Sequence, residues 1–89
     1  MPRTPIHPGI ILQDEVEELG LRVRDLAARL DVPANRLYQI VAGNRNVAAD
    51  MALRLAQFFG TSAELWMNLQ SIYELDLTRR NRDEHYSYQ

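Results

Sequence analysis

The chain has 89 residues, 46% of them hydrophobic, with a formal net charge of −2 and no cysteine. This length allows one small domain with a modest core, and the lack of cysteine excludes a disulfide framework and a thiolate metal site. No apolar run is long enough to cross a membrane, and no signal peptide precedes the first helical pattern, so we expect a cytoplasmic location.

Helical periodicity predicts an all-α fold of five helices. The first helix is expected to start near Pro8, because proline is favoured at the first helical position, and to stop at Gly20. Its apolar stripe consists of Ile11, Leu12, Val16 and Leu19.

Two short helices follow, from about Val23 to Leu30 and from about Ala34 to Ala42. Their inward residues are predicted to be Leu26, Ala27, Leu30, Leu37, Ile40 and Val41. At Asp31 the chain must turn sharply, so we expect a left-handed backbone there, which Asp tolerates better than most residues. Two amphipathic helices joined by a tight turn are the pattern of a helix-turn-helix.

The fourth helix is predicted over about Ala49 to Phe59, with Gly60 as its stop. Thr61 and Glu64 fit a capping box that starts a long fifth helix, which is predicted to end near Leu77. The apolar stripe of this helix is wider than one small core needs. We therefore expect one domain over 1–78 and a polar, flexible tail over 79–89.

The charge distribution favours an anionic partner for the helix-turn-helix. Residues 22–46 contain five arginines and two acidic residues, whereas the segments on either side are acidic. A local positive excess is what phosphate binding requires, so the net charge of −2 does not exclude nucleic acid.

The outer face of the third helix carries side chains that can read base edges in a major groove: Asn35, Arg36, Tyr38 and Gln39. Asn and Gln can pair two-fold with adenine, and Arg with guanine. The alternative is that these four are ordinary solvent-exposed residues of a helix.

Phosphate contacts are expected on either side of that helix. Arg22 and Arg24 begin the second helix, whose N-terminal amides also favour an anion. Asn44, Arg45 and Asn46 follow the third helix in a glycine-led loop. For Arg24, an ion pair with a nearby acid is a competing interpretation.

Residues that would support catalysis or metal binding do not form a recognisable constellation. His7 and His85 are far apart in sequence, and the carboxylates of the first helix fit a solvated face. The serines have no neighbouring His and acid, so no nucleophilic triad is predicted. We expect no cofactor, no metal and no enzymatic activity.

Several short motifs are similar to those of one known family. They are His7-Pro8-Gly9, Gly20-Leu21, Ala49-Asp50, Ala52-Leu53-Arg54-Leu55-Ala56, Phe59-Gly60-Thr61-Ser62 and Glu64-Leu65-Trp66-Met67-Asn68-Leu69-Gln70. Together they resemble the HigA/VapI antitoxins among the Xre-type helix-turn-helix proteins. The resemblance covers about residues 6 to 77.

This resemblance implies a five-helix, lambda-repressor-like DNA-binding domain with a role in a type II toxin–antitoxin system. Such antitoxins neutralise a HigB-like toxin, an mRNA endonuclease, and repress their own operon by binding a palindromic operator as dimers. Compact members generally dimerise through the C-terminal region. The expected interface residues are Leu65, Trp66, Leu69, Ile72 and Tyr73.

The chain departs from the family pattern at four positions, which are Arg22, Val23, Asp31 and Ala48. Arg22 and Ala48 stand where a Ser or Thr cap is usual, so each cap is expected to be weaker by about 1 kcal/mol. Two alternatives stay open: a stand-alone Xre-type repressor without a toxin, and a helical interaction module that has lost DNA binding.

Overall fold

The computed structural model describes residues 3–86, and the side chains of residues 3–82. Five helices account for this part of the chain, as the sequence predicts, and it contains no strand. They are α1 (Pro8–Glu18), α2 (Val23–Leu30), α3 (Ala34–Val41), α4 (Ala49–Phe59) and α5 (Ala63–Tyr86). None of the helices in this range is long and apolar enough to cross a membrane.

Left-handed residues end the helices where the sequence predicts. Asp31 follows α2 with φ 58° and ψ 47°. Among the described residues other than glycine, it is the one with a positive φ. Gly20 and Gly60 follow α1 and α4 with φ near +70°. Backbone turns at these positions reverse the chain direction and let consecutive helices pack against one another.

The core forms where all five helices meet. Its fully buried side chains include Leu12 of α1, Leu26 of α2, Leu37 and Ile40 of α3, and Leu55 of α4. Trp66 of α5 completes it with 2% of its surface exposed. Leu19, which the sequence places in the apolar stripe of α1, is instead exposed because the helix ends before it.

The start of α1 lies directly against the end of α3. A Cβ on Gly9 would come within 1.9 Å of the Ile40 carbonyl oxygen, so glycine is required for this approach. His7 caps the same helix, because its Nδ1 accepts the backbone N–H of Gly9 at 2.9 Å. The His7-Pro8-Gly9 motif therefore places α1 against the carbonyl end of α3.

The capping box predicted from Thr61 and Glu64 is wrong. Ser62 caps α5, since its Oγ accepts the backbone N–H of Leu65 at 3.1 Å. Thr61 has a different partner: its Oγ1 accepts the indole Nε1–H of Trp66 at 3.0 Å. A buried indole needs an acceptor, and Thr61 supplies it.

Helix α5 is longer than the sequence indicates. It continues to Tyr86, so the end predicted near Leu77 is wrong and most of the expected tail is helical. Beyond Leu77 the helix has no apolar stripe, which is the signal that periodicity detects. Residues 87–89 of that tail lie outside the described residues.

Candidate nucleic-acid interface

The outer face of α3 is polar and exposed. Asn35, Tyr38 and Gln39 are all exposed, while Leu37 and Ile40 of the same helix are fully buried. Asn35 and Gln39 are four residues apart, so they lie on one side of the helix. The structure thus brings three of the four predicted base-reading side chains onto one open surface.

Arg36, the fourth predicted base-reading residue, is hydrogen-bonded to α4. Its Nη1 and Nη2 donate to the two carboxylate oxygens of Asp50 at 2.7 Å each, which joins α3 to the first turn of α4. Hydrogen bonds from Arg36 lower the pKa of Asp50 to about 2. A bidentate pair of this kind fixes orientation as well as charge. The geometry therefore favours a positioning role for Arg36 over the predicted base contact.

Arg45 lies beside the outer face of α3. After Gly43, which has φ +81°, the loop turns back so that Arg45 Nη1 donates to Gln39 Oε1 at 3.1 Å. The backbone N–H of Asn44 also donates to the carbonyl of Gln39 at 2.9 Å. Both Asn44 and Arg45 stay exposed, which is the setting the predicted phosphate contacts require.

Asn46 is drawn toward α5 instead. Its Nδ2 donates to Glu74 Oε1 at 3.2 Å, and the next backbone N–H, of Val47, donates to Gln70 Oε1 at 2.8 Å. Gln70 is buried, and its amide satisfies a buried backbone donor of the loop. These contacts attach the end of the loop to α5 and favour a structural role for Asn46.

Arg22 and Arg24 are exposed at the start of α2, as predicted. Arg22 occupies the N-cap without a side-chain cap bond, since arginine has no acceptor. Asp25 accepts the backbone N–H of Arg22 at 3.1 Å and its Nε at 3.2 Å, and these bonds lower the pKa of Asp25. This carboxylate offsets part of the positive charge at the α2 N-terminus.

His7 connects α1, the loop after α3 and α5. Its ring packs edge-on against Tyr73 with centroids 4.9 Å apart, and it is the side chain nearest to a Cβ built on Gly43. Burial lowers the pKa of His7 below its ordinary value, while the backbone carbonyl of Arg45 opposes that shift. Because Nδ1 accepts from Gly9, the proton of the neutral ring lies on Nε2, which is buried and has no hydrogen-bond partner among the described residues.

Arg54 stabilises the turn of the helix-turn-helix from α4. Its Nη1 donates to the carbonyl of Leu30 at 2.6 Å, at the end of α2. The last carbonyls of a helix lack partners within the helix and attract a cation. Arg54 thus holds the orientation of α2, and through the turn that of α3.

A second surface runs along α1 and α5 and is apolar. Leu65, Ile72 and Leu75 of α5 each expose between 43% and 49% of their surface, and Ile6, which precedes α1, exposes 53%. A groove of about 520 Å³ lies within it, lined by residues that include Ile6, Ile11, Leu69 and Ile72. We name this the α5 face.

The predicted interface residues fall into two groups. Leu65, Leu69 and Ile72 contribute to the α5 face, whereas Trp66 lies inside the core of one chain. The interface role predicted for Trp66 is therefore revised, since so little of its surface is open to a partner. Tyr73 is half-buried against His7.

Four residues that support the outer face of α3 were not predicted from the sequence to do so, namely His7, Asp50, Arg54 and Gln70. A histidine directly before Pro-Gly at a helix start is a detectable signal for an N-cap. The partners of the other three are 14 to 24 residues away in sequence, so no local pattern reveals them.

Comparison with known proteins places this geometry in a family. A helix-turn-helix family profile matches residues 12–66. Virulence-associated protein I of Dichelobacter nodosus is 40% identical over 78 residues, which are 86% of this chain and 72% of that protein.

Two solved structures are similar over nearly the whole chain. An addiction module antidote protein of the HigA family from Coxiella burnetii has a TM-score of 0.89 and 40% identity, covering 98% of this chain and 96% of that one. Antitoxin HigA of Pseudomonas aeruginosa, solved with the higBA promoter, has a TM-score of 0.86 and 41% identity, with coverage of 97% and 95%.

The exposed polar face of α3 is thus part of a fold shared with an antitoxin HigA that was solved with promoter DNA. The chain belongs to the Xre-type helix-turn-helix family, within its group of HigA- and VapI-type proteins.

Proposed function

We propose that this chain is an antitoxin and transcriptional autorepressor, which binds a palindromic operator as a dimer and neutralises a HigB-like mRNA endonuclease. The observation that carries the proposal is the open polar face of α3, on a fold shared with a HigA antitoxin that was solved with promoter DNA. A regulator of its own operon works where the DNA is, so we place it in the cytoplasm.

In the proposed complex, the N-terminal half of α3 enters the major groove. Asn35, Tyr38 and Gln39 meet base edges, and Arg24, Asn44 and Arg45 meet phosphates on either side. Arg22 adds charge at the start of α2. Arg36 and Asn46 position this surface and do not contact DNA, because they are hydrogen-bonded to Asp50 and Glu74.

The dimer is proposed to form through the α5 face. Leu65, Ile72 and Leu75 leave apolar surface exposed on α5, beside the groove that Ile6 and Ile11 line, and exposed apolar surface of this kind favours a protein partner. A second copy of the chain presents the same area, so a two-fold interface is self-complementary. Two copies of α3 related by a two-fold axis match the symmetry of a palindromic operator.

The DNA part is tested by binding to the chain's own upstream DNA, in comparison with a scrambled duplex of equal length at the same salt concentration. The proposal predicts binding at least about a thousand-fold tighter to the native sequence. Equal affinity for the two duplexes would contradict the repressor role and favour a module without sequence-specific DNA binding.

The toxin part is tested through the neighbouring gene. The proposal predicts that the product of a short adjacent reading frame copurifies with this chain and arrests growth when expressed without it. A neighbour product that neither copurifies nor is toxic would favour the alternative, a stand-alone Xre-type repressor.

A further inference from the structure

Arg45 and Gln39 form a composite unit on the DNA-facing surface. The guanidinium Nη1 donates to Gln39 Oε1 at 3.1 Å, so the amide oxygen is directed toward Arg45. Both side chains are exposed, which leaves the outer side of the pair accessible to a ligand.

Arg45 has a fixed backbone from which to make this contact. On one side, the N–H of Asn44 is bonded to the carbonyl of Gln39 at 2.9 Å. On the other, the N–H of Val47 is bonded to the buried amide of Gln70 at 2.8 Å. His7 packs beneath the loop at Gly43. The pair is therefore set up before any DNA arrives.

This arrangement changes what Gln39 offers to a base. A free glutamine presents one acceptor and one donor group, which match the N6 amino group and the N7 of adenine. With the oxygen already bonded to Arg45, the amide NH₂ is the group that remains available to a base. The adjacent guanidinium adds positive charge and further donors, which disfavour the adenine amino group and favour acceptors.

We propose that Arg45 orients Gln39 so that this position of α3 reads a base edge made of acceptors, guanine in preference to adenine. Guanine presents O6 and N7, two acceptors, in the major groove, and thymine with its single O4 ranks second. Arg45 acts as a positioning residue that sets specificity while its remaining nitrogens are free for a phosphate. The inference rests on the proposed function, because it describes how the same surface reads DNA.

The experiment is selection from a randomised duplex pool, with the wild type and with Gln39→Ala. The position that Gln39 reads is the one whose preference disappears in Gln39→Ala. At that position the wild type is expected to bind guanine about ten-fold more tightly than adenine. In Arg45→Ala, overall affinity falls and the guanine-to-adenine ratio drops to one or below.

Two variants separate this effect from loss of charge. Arg24→Ala removes another exposed arginine near the same surface and is expected to weaken all four bases by the same factor. Gln39→Glu keeps the partner of Arg45 but presents oxygens, so the preference is expected to move to cytosine, whose N4 is a donor. Circular dichroism of each variant checks that the helices remain.

Adenine preferred by the wild type, or no position changed in Gln39→Ala, would overturn the inference. So would an Arg45→Ala variant that loses affinity while keeping the guanine-to-adenine ratio, since that result makes Arg45 a phosphate contact alone. If the wild type enriches no sequence, the proposed function itself fails, and the inference fails with it.

Discussion

The outer face of α3 carries polar side chains that the chain itself positions, whereas the α5 face carries large apolar side chains left in water. Arg45 orients Gln39, and the Arg36–Asp50 pair joins α3 to α4. On the α5 face, Ile72 and Leu75 expose more than two-fifths of their surface. The polar surface is positioned within one chain, whereas the apolar surface is the one that we propose a second copy of the chain covers.

This difference teaches where each part of the function is encoded. Pre-positioned donors and acceptors lower the entropic cost of binding, so in the proposed function the choice of DNA sequence is set within one chain. Burial of apolar surface is non-directional, so the α5 face specifies association more than it specifies a sequence. Substitutions in the two regions should therefore affect different measurements.

The largest effect is expected at the tight contact between α1 and α3, which supports the outer face of α3. Gly9→Ala places a methyl group 1.9 Å from the Ile40 carbonyl oxygen, so α1 must move away from α3. We expect the free energy of unfolding to fall by about 3 kcal/mol, measured by denaturant titration at fixed protein concentration.

Gly20→Ala is the matched control for that change. Gly20 has φ +70° but no atom within 4 Å of a built Cβ, so the cost is backbone strain alone, about 1 kcal/mol. Equal destabilisation by the two substitutions would show that the α1–α3 approach is not the tight contact described above.

A charge on the α5 face should break the proposed dimer and leave the fold intact. We expect Ile72→Asp to weaken dimerisation by about 2 kcal/mol or more, because it removes apolar contact and buries a carboxylate. Light scattering across a concentration series measures this. Leu53→Asp, at an apolar position of α4 that is 63% exposed, is the control that should stay dimeric. A dimer unchanged by Ile72→Asp would place the interface elsewhere.

Asp50→Asn should loosen the α3 face by a smaller amount that depends on pH. Because Arg36 lowers the pKa of Asp50 to about 2, the pair stabilises the fold fully above the ordinary carboxyl pKa of 3.8. Its contribution is lost as the pH falls toward 2. The Tm difference between Asp50→Asn and the wild type should therefore be constant from pH 7 to 5 and shrink below pH 4. A difference independent of pH would contradict the pair's role.

The smallest effect is expected at His7, which links the two regions through Tyr73. Because burial lowers the pKa of His7, the unfolded chain binds a proton more readily than the folded one. Wild-type stability should decline as the pH falls below 6.5 toward the lowered folded pKa. His7→Asn keeps an N-cap acceptor and should show a flatter profile in the same titration. Identical profiles would mean that His7 binds a proton as readily in the folded chain as in the unfolded one, so that its pKa is not lowered.

The sequence predicts the ends of the helices better than the side-chain contacts that hold the helices together. Pro8, Asp31 and Gly60 mark helix ends because each has a local conformational reason to be there. The Arg36–Asp50 pair carries no such mark, since its partners meet through tertiary packing. At the start of α5, Ser62 and Thr61 are both good caps, and the choice depends on the buried Trp66 indole, which local sequence does not reveal.

The candidate DNA surface shows the same division. Helical spacing is enough to place Asn35 and Gln39 on one exposed face. It does not indicate that Arg36 turns toward α4, or that Arg45 reaches back to Gln39 across a glycine turn. The residue type determines which hydrogen bonds a side chain can make. Its neighbours in the fold determine which of its donors and acceptors remain available to DNA.

The most direct test of the central claim is the affinity of Asn35→Ala and Gln39→Ala for the chain's own upstream DNA, beside a scrambled duplex. We expect each variant to lose roughly 1–3 kcal/mol of affinity for the native sequence and almost none for the scrambled one. Unchanged affinity for the native sequence in both variants would contradict the assignment of α3 as the helix that reads DNA.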